Sequence, residues 1–209
     1  MKKIFLIILF IINYITIHSQ NFPIKIYGNI SPLCIFETRH NYARGGIGLI
    51  FKNQISLSFD YGYGSNFGYW KFSDKYLFRA YRPEIKVFFF DKNLKETIYI
   101  GIEYYYSKMK YNFDGYFSYK DNLYLAESSV FYKDKEGLNL KIGTFYNFSK
   151  HIFIDLYGGI GYYRKLNYIF SQSLECIDPH SINRLFFPKY LGFSSGIQPV
   201  GGIKIGVMF

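Results

Sequence analysis

Residues 80 to 106 read AYRPEIKVFFFDKNLKETIYIGIEYYY, and the chemistry of the side chains along them alternates. Tyr81, Pro83, Ile85, Val87 and Phe89 form an apolar row, with Arg82, Glu84 and Lys86 falling between them. After a polar break at 91–96 the alternation resumes, with Ile98, Ile100, Ile102, Tyr104 and Tyr106 on one face and Tyr99, Gly101, Glu103 and Tyr105 on the other. A period of two belongs to β-strands. Each strand has one wholly apolar face and one with charges at its middle, the pattern of a sheet standing between lipid and a polar interior.

The same alternation recurs along the chain. Strand 1 is predicted within 24–36, with Ile26, Ile30 and Cys34 outward, Lys25, Asn29 and Ser31 inward, and Pro32 marking a bulge or break. Strand 2 spans 43–52, with Ile47, Leu49 and Phe51 opposite Arg44, Gly46 and Gly48, and strand 3 sets Ile55, Leu57, Phe59 and Tyr61 against Ser56, Ser58 and Asp60. Strand 6 (138–148) carries Leu138, Leu140, Ile142, Tyr146 and Phe148 outward and Asn139, Lys141, Gly143 and Asn147 inward. In strand 7, Ile152, Ile154, Leu156, Ile160 and Tyr162 oppose Asp155, Tyr157, Gly159 and Gly161. Strand 8 ends the chain, with Ile197, Ile203, Ile205, Val207 and Phe209 outward and Lys204 and Gly206 inward.

Tight turns at 52–54, 91–96 and 149–151 alternate with mostly longer connections at 37–42, 62–75, 108–137 and 167–195. Short turns at one end and longer loops at the other are the arrangement of outer-membrane barrels. The predicted fold is therefore all-β, an eight-stranded antiparallel up-and-down transmembrane β-barrel, with both chain ends on the short-turn, periplasmic side.

Aromatic residues make up 22% of the 209, with 23 Tyr and 23 Phe against one Trp, which suits strands and membrane interfaces. No apolar run reaches the roughly 20 residues that a membrane helix needs. The longest lies at the start, where Lys2 and Lys3 precede an apolar stretch over 4–17 and then His18, Ser19 and Gln20. This reads as a secretory signal peptide over 1–19, cleaved after Ser19 or Gln20, leaving a barrel domain over 20–209. Loss of Lys2 and Lys3 takes the formal charge from +10 to +8, still basic. For an exported chain the acidic partners are membrane phosphates before nucleic acid.

Assigned this way, the interior collects Arg44, Asp60, Arg82, Glu84, Lys86, Glu103, Lys141, Asp155 and Lys204. Unpaired charges in such a space are costly, whereas pairs bridging strands satisfy one another. An eight-stranded barrel is just wide enough for side chains to fill. The expectation is a charged, side-chain-filled lumen and not an open channel. A soluble ligand-binding barrel would reverse the faces, placing its charges in water.

These features resemble the small OmpA/OmpX-type outer-membrane barrels, and more narrowly the uncharacterised β-barrel proteins of Bacteroidota. The resemblance rests on the leader ending Ser-Gln, the Arg82-x-Glu84-x-Lys86 strand, the Gly101-x-Glu103-Tyr104 strand and the ending GIKIGVMF. It implies an outer-membrane location in contact with lipid and lipopolysaccharide. It also implies that Ile205, Val207 and Phe209 form a signal read by the barrel assembly machinery. It brings no assigned activity.

Candidate chemistry is sparse. Lipid A-modifying barrels need a base beside a nucleophile near the outer leaflet, for which His40 at the rim and His180 in the last loop are the candidates, with His151 in a turn at the other end. None has a spacing that selects a Ser and a carboxylate. The two Cys and scattered His lack metal-ligand spacing, and no cofactor motif is present. Cys34 and Cys176 lie near adjoining strands 1 and 8, so a disulfide is permitted and geometry decides it. The expected role is non-enzymatic, with extracellular loops that bind a surface ligand or support the envelope. A lipid A-modifying enzyme and a narrow pore stand as alternatives.

Overall fold

The computed structural model describes residues 24–32, 42–65, 75–89, 96–119, 122–171, 173–177 and 189–209. Apolar rows pair with apolar rows across neighbouring strands, which fixes the register, because a slip of one residue would turn every side chain to the other face. The strands are β1 (Ile24–Ile30), β2 (Ala43–Phe51), β3 (Ile55–Ser65), β4 (Leu77–Phe89) and β5 (Glu96–Tyr119). They continue as β6 (Asn122–Asn147), β7 (Ile152–Phe170), β8 (Ser173–Ile177), β9 (Lys189–Tyr190) and β10 (Gly192–Met208). Leu57 stands opposite Ile85, Ile85 opposite Ile102, Ile100 opposite Ile142, and Leu140 opposite Ile160.

The order β6-β7-β10-β1-β2-β3-β4-β5, with β5 pairing back onto β6, closes eight strands into a ring. Every ladder in the ring is antiparallel. This is an eight-stranded up-and-down barrel. The two short strands lie outside the ring: β8 pairs with the start of β6, and β9 runs parallel to the end of β5. Closure removes the sheet edges that would otherwise invite pairing with another chain.

The solvent exposures are inverted relative to a water-soluble barrel. Ile47 is 70% exposed, Ile142 62% and Ile102 56%, while Lys86, Lys141 and Lys204 are at most 1% exposed. Apolar residues therefore cover the outer wall and the charges fill the inside.

At the short-turn end, Lys52 and Asn53 both take positive φ (49° and 57°) and Gln54 N–H bonds Phe51 O at 2.9 Å, a tight turn of the primed type that suits strand twist. Ser149 caps the 149–151 turn, its Oγ accepting from the N–H groups of His151 and Ile152. The start of β1 and the last residue lie at this same end, where Ile26 and Phe209 exchange backbone hydrogen bonds.

Three of the predicted loops need correction. The stretch 108–137, read as a long loop into which the flanking strands continue on the alternation at Tyr111 and Phe113 and at Phe117 and Tyr119, is strand almost throughout. Here β5 runs on to Tyr119 and β6 begins at Asn122, and the two pair from end to end with one irregularity between Phe113 and Gly115. Beyond the apolar belt both faces of a strand are polar or aromatic, so the contrast that reveals a strand fades. Likewise β3 extends to Ser65 and β4 starts at Leu77, so the predicted loop 62–75 is strand over its first residues. In the last loop, 167–195, β7 reaches Phe170, β8 and β9 intervene, and β10 starts at Gly192. The predicted signal peptide, most of the 37–42 connection and the 91–95 part of the turn lie outside the described residues.

Candidate functional site

Because alternate residues point inward, strands β2, β3, β4, β5, β6, β7 and β10 each deliver charged side chains to one level of the lumen. Glu84 lies at the centre. Lys204 Nζ is 2.8 Å and Lys141 Nζ 3.2 Å from its carboxylate, and Lys86 Nζ is 3.9 Å away on the same strand. Lys141 also reaches Glu103 at 2.6 Å, and Lys204 reaches Asp60 at 2.8 Å. Lys86 donates to Asp155, whose other oxygen accepts from the Tyr99 hydroxyl at 2.6 Å.

Neutral side chains complete the layer. Asn139 donates to Glu103 at 2.7 Å, and Asn29 donates to Asp60 at 3.2 Å. Arg44 donates through Nε to Ser31 Oγ at 2.7 Å and through Nη2 to the Tyr157 hydroxyl at 2.6 Å, and lies 3.9 Å from Asp60. Arg82 meets Glu103 at 3.5 Å and is the most exposed of the group. Thus all nine of Arg44, Asp60, Arg82, Glu84, Lys86, Glu103, Lys141, Asp155 and Lys204 join one network of ion pairs. Acids and bases that alternate in this way offset the cost of leaving water.

Toward the short turns the lumen changes character. Tyr27, Ile50, Phe88, Tyr99, Phe145, Phe153 and Met208 pack into a buried cluster. Phe145 stacks on Phe153 with centroids 4.4 Å apart, and Tyr27 meets Phe153 edge to face at 5.3 Å. Sequence reasoning missed this layer, because near the turns both faces are apolar and only counting two by two from the charged residues separates inside from outside.

Sequence reasoning also missed why the inward faces carry so many glycines. Tyr27 stands opposite Gly48, Tyr99 opposite Gly143, Tyr105 opposite Gly137, Phe153 opposite Gly206 and Tyr157 opposite Gly202. In each pair the ring lies over the glycine: a Cβ on Gly143 would sit 2.6 Å from Tyr99 Cζ, and one on Gly202 2.6 Å from the Tyr157 hydroxyl. Glycine makes room, and the aromatic side chain covers its backbone. An inward glycine in register with an inward aromatic was the available signal.

The remaining candidates are scattered. Ile205, Val207 and Phe209 form an exposed outward row on the last strand and its end. His151 lies in the short turn with Nδ1 3.2 Å from Met208 O. His40, His180 and Cys34 fall outside the described residues, so the pairing of Cys34 with Cys176 does too. No group of three His, Cys, Asp or Glu suited to a metal occurs among the described residues.

The fold and its lumen define the chain as a closed eight-stranded up-and-down barrel with a charged interior. No protein-family model matches it, and no curated protein does. Among solved structures it is similar to a major outer membrane protein from Thermus thermophilus, with 9% identity, a TM-score of 0.43, and coverage of 90% of this chain and 99% of that one. It is also similar to the N-terminal β-barrel domain of Pseudomonas aeruginosa OprF, with 11% identity, a TM-score of 0.41, and coverage of 90% and 98%. Neisserial surface protein A (NspA) gives 12%, 0.40, and 90% and 95%. The closed ring stands on its own strand pairing and not on these likenesses.

Proposed function

We propose that the chain is an integral outer-membrane β-barrel protein with a non-enzymatic role, its extracellular loops serving surface interaction or envelope support. The observation that carries this reading is the inversion of the barrel: isoleucine, leucine, phenylalanine and tyrosine cover the outside, and a connected set of ion pairs occupies the inside. An apolar wall of this kind requires lipid as its solvent. Residues 1–19 act, on this reading, as a leader that delivers the chain to the compartment from which barrels insert. On this reading both chain ends and the short turns are periplasmic and the longer connections face outward. The partners are outer-membrane lipid and lipopolysaccharide, the barrel assembly machinery at Ile205, Val207 and Phe209, and a surface ligand at the loops. The OmpA/OmpX-type affinity and the Bacteroidota grouping belong to the same proposal.

The test is to fold the mature chain in detergent and compare its gel mobility with and without boiling, then to record currents in a planar bilayer. A mobility shift with no steady conductance is expected. Solubility without detergent and no shift would overturn the membrane assignment, and a steady ion current would overturn the filled lumen.

A further inference from the structure

Above the ion-pair layer, on the loop side, the lumen opens into a cavity of about 440 Å³. Its lining includes four cations, Arg44, Arg82, Lys133 and Lys135, and no carboxylate among the described residues. Arg44 and Arg82 also belong to the ion-pair network, paired with Asp60 and Glu103, and that network of five basic and four acidic groups has one positive charge in excess. Lys133 and Lys135 raise the formal excess of these eleven groups to three. Arg82 Nε is buried without a hydrogen-bond partner among the described residues, although its Nη1 reaches Glu103. Lys135 donates to Gln198 at 2.5 Å and lies over the Tyr163 ring, 4.4 Å from the centroid. Tyr42, Phe78, Tyr105 and Met109 supply apolar wall.

A cavity of a few hundred Å³ with apolar walls and a few converging polar groups has the dimensions of a small-molecule site. Its charge selects an anion, and guanidinium groups favour the planar, multi-oxygen faces of phosphate and carboxylate. A formal excess of three positive charges around and beneath one recess favours a ligand that carries more than a single negative charge.

We propose that this vestibule binds a phosphoryl group, with Arg82 and Lys135 as its principal ligands and Arg44 and Lys133 completing the positive field. The β5–β6, β6–β7 and β7–β10 ladders run unbroken past the cavity and close its wall on that side. The site depends on the closed barrel alone and not on the envelope role proposed above, and the boiled-against-unboiled comparison fails independently of it.

The experiment is calorimetric titration of pyrophosphate into the full mature chain folded in a neutral detergent at low salt, with folding of every variant checked by gel mobility. Saturable binding is expected, weakened about tenfold in Arg82→Gln and about fivefold in Lys135→Gln, and unchanged in Arg164→Gln on the outer face. Lys135 stands outside the ion-pair layer, so its variant keeps the test alive if the Arg82 variant does not fold. A second arm dopes the micelles with a short-chain phosphatidic acid. Displacement of pyrophosphate would assign the phosphoryl group to a lipid, and absence of displacement to a soluble ligand. No heat of binding up to about 10 mM pyrophosphate, or equal affinity in wild type, Arg82→Gln and Lys135→Gln, would overturn the site.

Discussion

Lys204 on β10 and Glu84 on β4 belong to strands on opposite sides of the eight-stranded ring, yet Lys204 Nζ lies 2.8 Å from Glu84 Oε2. The pair spans the lumen as a strut. Its carboxylate is shared with Lys141 and Lys86, so one side chain ties three strands together.

Glu84 is therefore the least replaceable charge in the barrel. Glu84→Gln leaves three buried ammonium groups short of their common acceptor and is expected to destabilise the folded state by about 3–5 kcal/mol. Urea unfolding in lipid bilayers measures this. The double variant Glu84→Gln/Lys204→Met, which also removes one of the stranded charges, should recover part of the loss. A Glu84→Gln protein as stable as wild type would mean that the network contributes nothing to holding the walls together.

Two neighbouring glycines separate packing from sequence bias. A Cβ on Gly159 would overlap the carbonyl oxygen of Leu140 on the adjacent strand, whereas one on Gly158 meets nothing within 4 Å. Gly159→Ala should cost about 1–3 kcal/mol, while Gly158→Ala should stay within about 0.5 kcal/mol of wild type. Parallel unfolding curves decide, and equal effects of the two changes would contradict the strand register.

The outer face can be tested at Ile142, which is 62% exposed and stands opposite Ile100. Ile142→Arg should weaken folding into bilayers by about 2–4 kcal/mol, the cost of a cation on the lipid face near mid-depth. In a water-soluble barrel the same exposed position would accept arginine without loss, so an unchanged midpoint would count against lipid contact.

How much of this is legible in the sequence differs along each strand. At mid-height, isoleucine and leucine alternate with Lys, Arg, Asp and Glu, and the contrast between lipid and lumen is printed residue by residue. Ile85 beside Glu84 and Ile142 beside Lys141 need no structure to be assigned to opposite faces. At the turn end the contrast disappears, because Phe88, Phe145 and Phe153 face inward beside outward apolar neighbours. At the loop end it disappears for the opposite reason: Lys108, Lys110, Asp134 and Glu136 occupy strands whose outward faces carry charge, so the β5–β6 hairpin reads as a loop. The vestibule is illegible for a further reason. Arg44, Arg82, Lys133 and Lys135 come from three strands and converge only once the ring closes.

The meeting of β1 with β10 has a different standing from every other seam in the ring. All other ring neighbours follow one another in the chain, or are separated only by the short β8 and β9, and can pair as hairpins do. The ladder of Tyr27 to Ile30 against Ile205 to Met208 instead joins the first strand to the last, and closing it encloses the whole domain in a single loop. Contacts of such high sequence separation come late, because the entropy of that loop must be lost before any of its bonds form. Until the final strand arrives, β1 and β7 each present an unpaired edge, and the charged layer lacks Lys204. The barrel is an open sheet until β10 pairs with β1, and that one short ladder of four residue pairs closes it.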